Sequence, residues 1–253
     1  MGSMTYRDAL RQALSDCMTA DSNVVLIGEE VGRYGGAYGV TKGLIDEFGA
    51  ERVIDTPISE PSIVGTAVGA AMSGLRPVAE LMYVDFIGMT MDQLANQAAK
   101  IRYMFGGQIG VPMILRTQGG TGRSAGAQHS QSLEAYVMHT PGLRLVMPAT
   151  VSDAYHLLRQ SLAQPDPVVF IEHKALYSTS GELDDKVPVA PWGKAHVARH
   201  GNDLVIVTYS RQLHYAISAA KTLVKDGWVR FDCGKVKFQK PSDDQVSYQL
   251  RTS

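Results

Sequence analysis

Apolar residues recur along the 253-residue chain in two periods that alternate. Across residues 5–20, Ala9, Leu10, Ala13, Leu14, Cys17 and Met18 fall every three or four positions, as one stripe of a helix does. Thr5, three residues before Asp8, gives this helix a capping-box start. Val24-Val25-Leu26-Ile27 is then a short continuous apolar run, the length of a buried strand. The alternation predicts helices over 40–48, 62–75, 86–103, 130–139 and 152–163, and strands over 52–55, 77–81, 111–116, 143–147 and 168–172. Gly49 closes the first of these helices and Gly106-Gly107 the third. Glycine-rich loops lie at 32–39 and 118–128. A β-α rhythm with apolar strands predicts an α/β fold, a doubly wound parallel sheet covered by helices on both faces.

After His173 the pattern changes. Residues 176–202 read as a linker, and a strand at 203–209 with an amphipathic helix at 210–225 opens a second α/β domain. From about residue 227 the sequence is polar and aperiodic, so this second domain, 203–253, reads as incomplete with a poorly ordered tail. Met1-Gly2-Ser3 before Met4 looks like an expression remnant, which leaves 4–175 as the main domain.

The charge is nearly balanced, 24 basic against 25 acidic residues. No broad basic field is available for phosphates, so nucleic acid is not an expected partner. No apolar run reaches the ~18 residues a membrane span needs, and no secretory signal is visible. Cys17 and Cys233 are far apart and make neither a disulfide framework nor a metal knuckle; they fit a reducing cytoplasm.

Ligands of such sheets bind beyond the carboxyl ends of the strands, and three loops there carry candidate chemistry. In Asp55-Thr56-Pro57-Ile58-Ser59-Glu60-Pro61, Glu60 is either part of a helix cap or a carboxylate that moves a proton. In the loop 119–130, Gly120, Gly122 and Ala125 match the dinucleotide pattern G-x-G-x-x-A. No acidic residue stands about twenty positions on for the ribose, and this is not the first β-α unit. His129 at its end is either solvated or a proton shuttle. In Glu80-Leu81-Met82-Tyr83-Val84-Asp85-Phe86, the aromatic rings are core or a flat face for a heteroaromatic ring. The 62–75 helix holds Gly65, Thr66, Ala67, Gly69, Ala70, Ala71, Ser73 and Gly74, which suits a crowded packing junction.

Several motifs together carry a resemblance. Gly28-Glu29-Glu30-Val31, Asp55-Thr56-Pro57-Ile58-Ser59-Glu60, Ala67-Val68-Gly69-Ala70-Ala71, Gly74-Leu75-Arg76-Pro77, Ala127-Gln128-His129-Ser130-Gln131 and Pro141-Gly142-Leu143 run in order. Over residues 4 to about 225 the chain resembles the beta subunit of the thiamin-diphosphate-dependent decarboxylating component of 2-oxo acid dehydrogenase complexes. The resemblance implies a pyrimidine-binding domain and oxidative decarboxylation of pyruvate or a branched-chain 2-oxo acid, or cleavage of acetoin. It implies that Glu60 hydrogen-bonds N1′ of the cofactor's aminopyrimidine, that Phe86 stacks on that ring, and that Ile58 and Met82 line its pocket. His129 would orient substrate or assist acyl transfer to a lipoyl group, and Glu29 would join a proton network. The diphosphate and its Mg²⁺ would sit on an alpha subunit, in an α₂β₂ assembly serving a lipoyl-bearing acyltransferase core. A potassium ion on the backbone carbonyls of Ile114, Ser161, Leu162, Gln164 and Asp166 is a further implication. A non-catalytic assembly subunit and a stand-alone nucleotide-binding protein are the alternatives.

Overall fold

The computed structural model describes residues 2–122, 124–183, 192–201, 203–225 and 231–235. Six parallel strands form its main sheet: β2 (Val24–Gly28), β3 (Val53–Asp55), β4 (Arg76–Leu81), β5 (Ile114–Gly119), β6 (Arg144–Val146) and β7 (Val168–His173). Their order across the sheet is β3-β2-β4-β5-β7-β6. Both faces are covered, which is why the strands are apolar throughout rather than alternating. Neighbours on one strand feed different cores: Leu26 packs with α1 (Tyr6–Ala20) and α6 (Val151–Leu162), Ile27 with α3 (Glu60–Met72).

Helix starts are fixed by side chains where the sequence offers them. The Thr5 hydroxyl accepts from the Asp8 N–H at 3.1 Å and opens α1. At α6, Thr150 accepts from the Asp153 N–H while the Asp153 carboxylate accepts from the Thr150 N–H, both at 3.1 Å. The helix expected over 40–48 shrinks to α2 (Leu44–Phe48), because Gly39 and Gly43 take left-handed φ values of 73° and 81° just ahead of it.

The largest local departure is at 86–103. That stretch is not one α-helix but a 3₁₀ turn at Val84–Thr90, a π-helix at Asp92–Ala98 and α4 (Ala99–Met104). Val84, Ile87, Leu94, Ala98 and Ile101 still all reach the core shared with α3. Packing thus tolerates the change of winding. Strand β5 begins at Ile114 and not at residue 111, since Pro112 has no N–H to give a ladder. The helix expected over 130–139 is the short α5 (Glu134–Met138).

Between the domains the chain is less featureless than a linker. β8 (Ser180–Glu182) pairs antiparallel with β1 (Ser3–Thr5), so Ser3 lies opposite Glu182. The second unit is a three-stranded sheet in the order β10 (Leu204–Thr208), β11 (Phe231–Lys235), β9 (His196–Arg199), with α7 (Gln212–Lys225). β11 lies in the aperiodic stretch after 227; the rest of that tail, 227–230 and 236–253, is outside the described residues. Contacts join the units: Tyr209 donates to Glu134 at 2.9 Å, Arg211 donates to the Thr121 carbonyl at 3.4 Å, the His214 Nε2 lies 2.7 Å from the Ala149 carbonyl, and Leu213 packs on Ala149.

Candidate functional site

The candidate residues come to the carboxyl ends of four adjacent strands. Glu29 follows β2, Glu60 opens α3 beyond β3, Met82 to Phe86 follow β4, and the loop after β5 ends at His129. Glu60 stands at the first turn of α3, where the helix dipole favours a carboxylate. No side-chain cap competes for the role, because the Ser59 hydroxyl bonds instead to Ser62 at 2.8 Å.

Glu29 and Glu60 are each only 7% exposed. Burial pushes the Glu29 carboxyl up from its usual range, and the Glu60 and Glu30 charges push it further. Both carboxyls lie at the carboxyl ends of the adjacent strands β2 and β3.

At the ends of the next strands, β4 and β5, stands a ring cluster. The His129 imidazole meets Tyr83 edge-on at 4.6 Å between centroids and Phe86 at 5.6 Å, while Tyr83 and Phe86 are 6.0 Å apart. Phe86, Met82 and His129 are half-buried, with surface still open to a bound ring. Ile58 is 80% exposed, an apolar side chain that the described residues leave largely uncovered.

Under the site lies a charged network that pattern reading did not find. Arg116 on β5 has no solvent exposure. Its Nε and Nη2 donate to Glu172 on β7 at 2.5 and 2.8 Å, and its Nη1 donates to Glu80 on β4. The Tyr177 hydroxyl adds a further donor to Glu172 at 2.5 Å. Burial works against the guanidinium charge, but Glu172 and Glu80 outweigh it and hold Arg116 above its usual range. Asp85 lies in the third candidate loop but drew no role, because only that loop's aromatic rings were weighed, and Lys174 was not singled out. The signal was there for the other three: Glu80, Arg116 and Glu172 are lone charges in strands buried on both faces, where charges must pair.

The loop glycines have packing work. A Cβ on Gly120 (φ 86°) would collide with the His173 ring, and one on Gly122 (φ 107°) would stand 2.6 Å from the Arg211 guanidinium. Side chains lie against the backbone that the dinucleotide reading would leave open to a pyrophosphate.

The five carbonyl candidates lie at the other end of the sheet. Ile114 starts β5, Ser161 and Leu162 end α6, and Gln164 and Asp166 lead into β7. The Leu162 carbonyl accepts from Arg76 at 2.7 Å, and the Asp166 carboxylate takes Arg102 and Arg144, each at 2.8 Å. Among the described residues no cluster of His, Cys, Asp and Glu could hold a metal ion, and no helix is long and apolar enough to cross a membrane.

This arrangement has known counterparts. Residues 2–179 match the family "Transketolase, pyrimidine binding domain", and residues 193–251 match "Transketolase, C-terminal domain". The chain belongs to the family of the transketolase pyrimidine-binding domain. As a transketolase-type chain it is 47% identical over 228 residues to the pyruvate dehydrogenase E1 component subunit beta-2 of Oryza sativa, covering 88% of this chain and 61% of that relative. It is 45% identical to the beta subunit of acetoin:2,6-dichlorophenolindophenol oxidoreductase from Cupriavidus necator, of which it covers 69%, and 44% identical to the 2-oxoisovalerate dehydrogenase subunit beta of Bacillus subtilis, of which it covers 70%. The chain thus spans about three fifths of the length of the rice relative. The fold matches a split-gene transketolase solved as an inactive beta4 tetramer, with a TM-score of 0.75 at 18% identity, covering 92% of this chain and 71% of that one. The C-terminal match carries through the aperiodic tail.

Proposed function

We propose that this transketolase-type chain is the beta subunit of a thiamin-diphosphate-dependent 2-oxo acid dehydrogenase. It would act in the cytoplasm on pyruvate, a branched-chain 2-oxo acid or acetoin, completed by an alpha subunit in an α₂β₂ assembly. The acyl group would pass to a lipoyl-bearing acyltransferase core. One observation supports this most: two buried carboxyls, Glu29 and Glu60, and an aromatic–imidazole cluster stand together at the ends of adjacent parallel strands.

The residues present suit an aminopyrimidine. Glu60 offers a carboxylate to a ring nitrogen and Phe86 a flat apolar face, with Met82 and Ile58 as walls. Thiamin diphosphate bound there supplies a carbon nucleophile and an electron sink for cleavage next to a carbonyl. The chain's own part is proton management and orientation. Glu60 shares a proton with the ring nitrogen. Burial and the neighbouring charge favour a proton on Glu29, which can then relay one. His129 orients the substrate or the acyl acceptor, and the rings around it exclude water. The diphosphate with Mg²⁺ is assigned to the alpha subunit. A potassium ion among the carbonyls of Ile114, Ser161, Leu162, Gln164 and Asp166 would have to share Leu162 with Arg76.

The test is reconstitution with candidate alpha subunits, thiamin diphosphate and Mg²⁺, following dye reduction with pyruvate, branched-chain 2-oxo acids and acetoin. Glu60→Ala should leave the complex intact and lower turnover by about 10²–10⁴-fold. Full turnover in Glu60→Ala would remove the assignment. A stable complex without wild-type turnover would favour an assembly role, and tight NAD binding by the chain alone in equilibrium dialysis would favour nucleotide binding.

A further inference from the structure

The peptide group between His129 and Ser130 is held from both ends. The Asp85 carboxylate accepts from the Ser130 N–H at 3.1 Å and from the Gln131 N–H at 3.0 Å. The Lys174 ammonium donates to the His129 carbonyl. That carbonyl and the Ser130 N–H belong to one planar amide. A negative charge therefore sits at its N–H end and a positive charge at its C=O end, both along the amide dipole. Such charge-assisted hydrogen bonds are roughly twice as strong as neutral ones.

The topology makes this a grip from two sides. In the order β4-β5-β7, the loop after β5 lies between the ends of its two neighbours. Asp85 comes from the end of β4 and Lys174 from the end of β7. The loop needs such a grip, because Gly120, Gly122 and Gly126 all take positive φ and give it little stiffness of its own. Lys174 is 1% exposed, and its Nζ lies 5.3 Å over the Tyr83 ring, the same ring that His129 meets edge-on. Burying an ammonium is costly unless it is well paired, so its presence here needs a use. One ammonium thus touches both the backbone of His129 and the ring that seats its imidazole.

We propose that Asp85 and Lys174 are positioning residues that clamp the His129–Ser130 peptide and so fix the His129 imidazole for turnover. The inference rests on the catalytic reading of His129 given above.

Two variants of nearly unchanged volume test it, Lys174→Met and Asp85→Asn. Amide hydrogen exchange across 127–133 is read first, in the full chain alone. Both variants should speed exchange at Ser130 and Gln131 about tenfold or more, as expected when a local opening becomes easier, while strand β5 stays protected. In the reconstituted complex each should lower turnover roughly 10²-fold, the size of effect an ångström of misplacement produces. The affinity for thiamin diphosphate should not change, and Lys174→Arg should recover part of the loss. Neither variant should cost anything more on top of His129→Ala, because residues acting through one group are not additive. Unchanged exchange at Ser130 and Gln131 overturns the clamp. Faster exchange with full additivity on His129→Ala also overturns it, since the two residues would then serve general packing. Full turnover in His129→Ala would sink the reading of His129 and with it the effect on turnover, whereas the exchange data still judge the grip on the peptide.

Discussion

Arg116 meets three carboxylate oxygens on two neighbouring strands and has no solvent exposure. Its removal leaves Glu80 and Glu172 buried without a counter-charge. Arg116→Met should therefore cost about 3–5 kcal/mol in urea unfolding of the chain, the penalty for breaking a buried ion pair from one side. Replacing Glu80 and Glu172 by glutamine in the same variant should restore much of it. The network also stiffens the strand ends that carry function, because Glu80 precedes Met82 by two residues and Glu172 precedes Lys174 by two. His173 supplies a pH signature. Burial, aided by the Arg211 and Lys174 charges, lowers its pKa to about 4 from the usual 6.5. Between those values the unfolded chain binds a proton there that the folded chain refuses. The cost of refusing it is absent above about pH 6.5, grows as the pH falls and levels off below about 4. His173→Asn should flatten that part of a plot of urea midpoint against pH; an unchanged slope would place the acid sensitivity elsewhere.

Helix and strand boundaries obey local chemistry wherever a side chain or a glycine fixes them. Thr150→Ala removes half of the reciprocal cap on α6 and should cost about 1 kcal/mol. Gly142→Ala is a harsher change. Gly142 has φ 96°, and a methyl group there would run into the Ala99 backbone carbonyl. Both left-handed strain and a collision with fixed backbone oppose it. The loss should exceed about 3 kcal/mol, or leave the chain insoluble, where a compatible Gly→Ala exchange would gain a few tenths. These elements also mark how far pattern carries. The parallel strands were legible because burial on both faces leaves continuous apolar runs. The π-turn at Asp92–Ala98 was not, since its apolar residues reach the same core as an α-helix would use. The pairing of β1 with β8 was not legible either: strands of three residues joined across the whole first domain leave no periodic trace. At the site, position after a strand singled out Glu60, Phe86 and His129, but nothing local marks Asp85 or Lys174, whose partners are backbone groups brought close only by the fold.

For the whole molecule, the unsatisfied feature is the outer face of α3. Ile63, Val64, Ala67, Val68 and Ala71 bury one side of this helix against the sheet and the 84–98 segment. The other side presents Ser62, Thr66, Gly69 and Ser73, all exposed, and a Cβ on Gly69 would touch nothing within 4 Å. The close packing that the small residues suit is therefore not made by the described residues of this chain. If the proposed α₂β₂ assembly uses this face, its small residues would let a partner backbone approach closely. Gly69→Leu separates the two demands. Within the chain it removes a flexible mid-helix glycine and meets no neighbour, so the urea midpoint should hold or rise by up to about 1 kcal/mol. Between chains the added isobutyl group blocks backbone approach. Mixed with an alpha subunit that assembles with the wild type, the variant should stay unassembled in light scattering. Assembly at wild-type affinity would mean that this open face does not form the subunit contact, and the composition of α3 would then have no role in assembly.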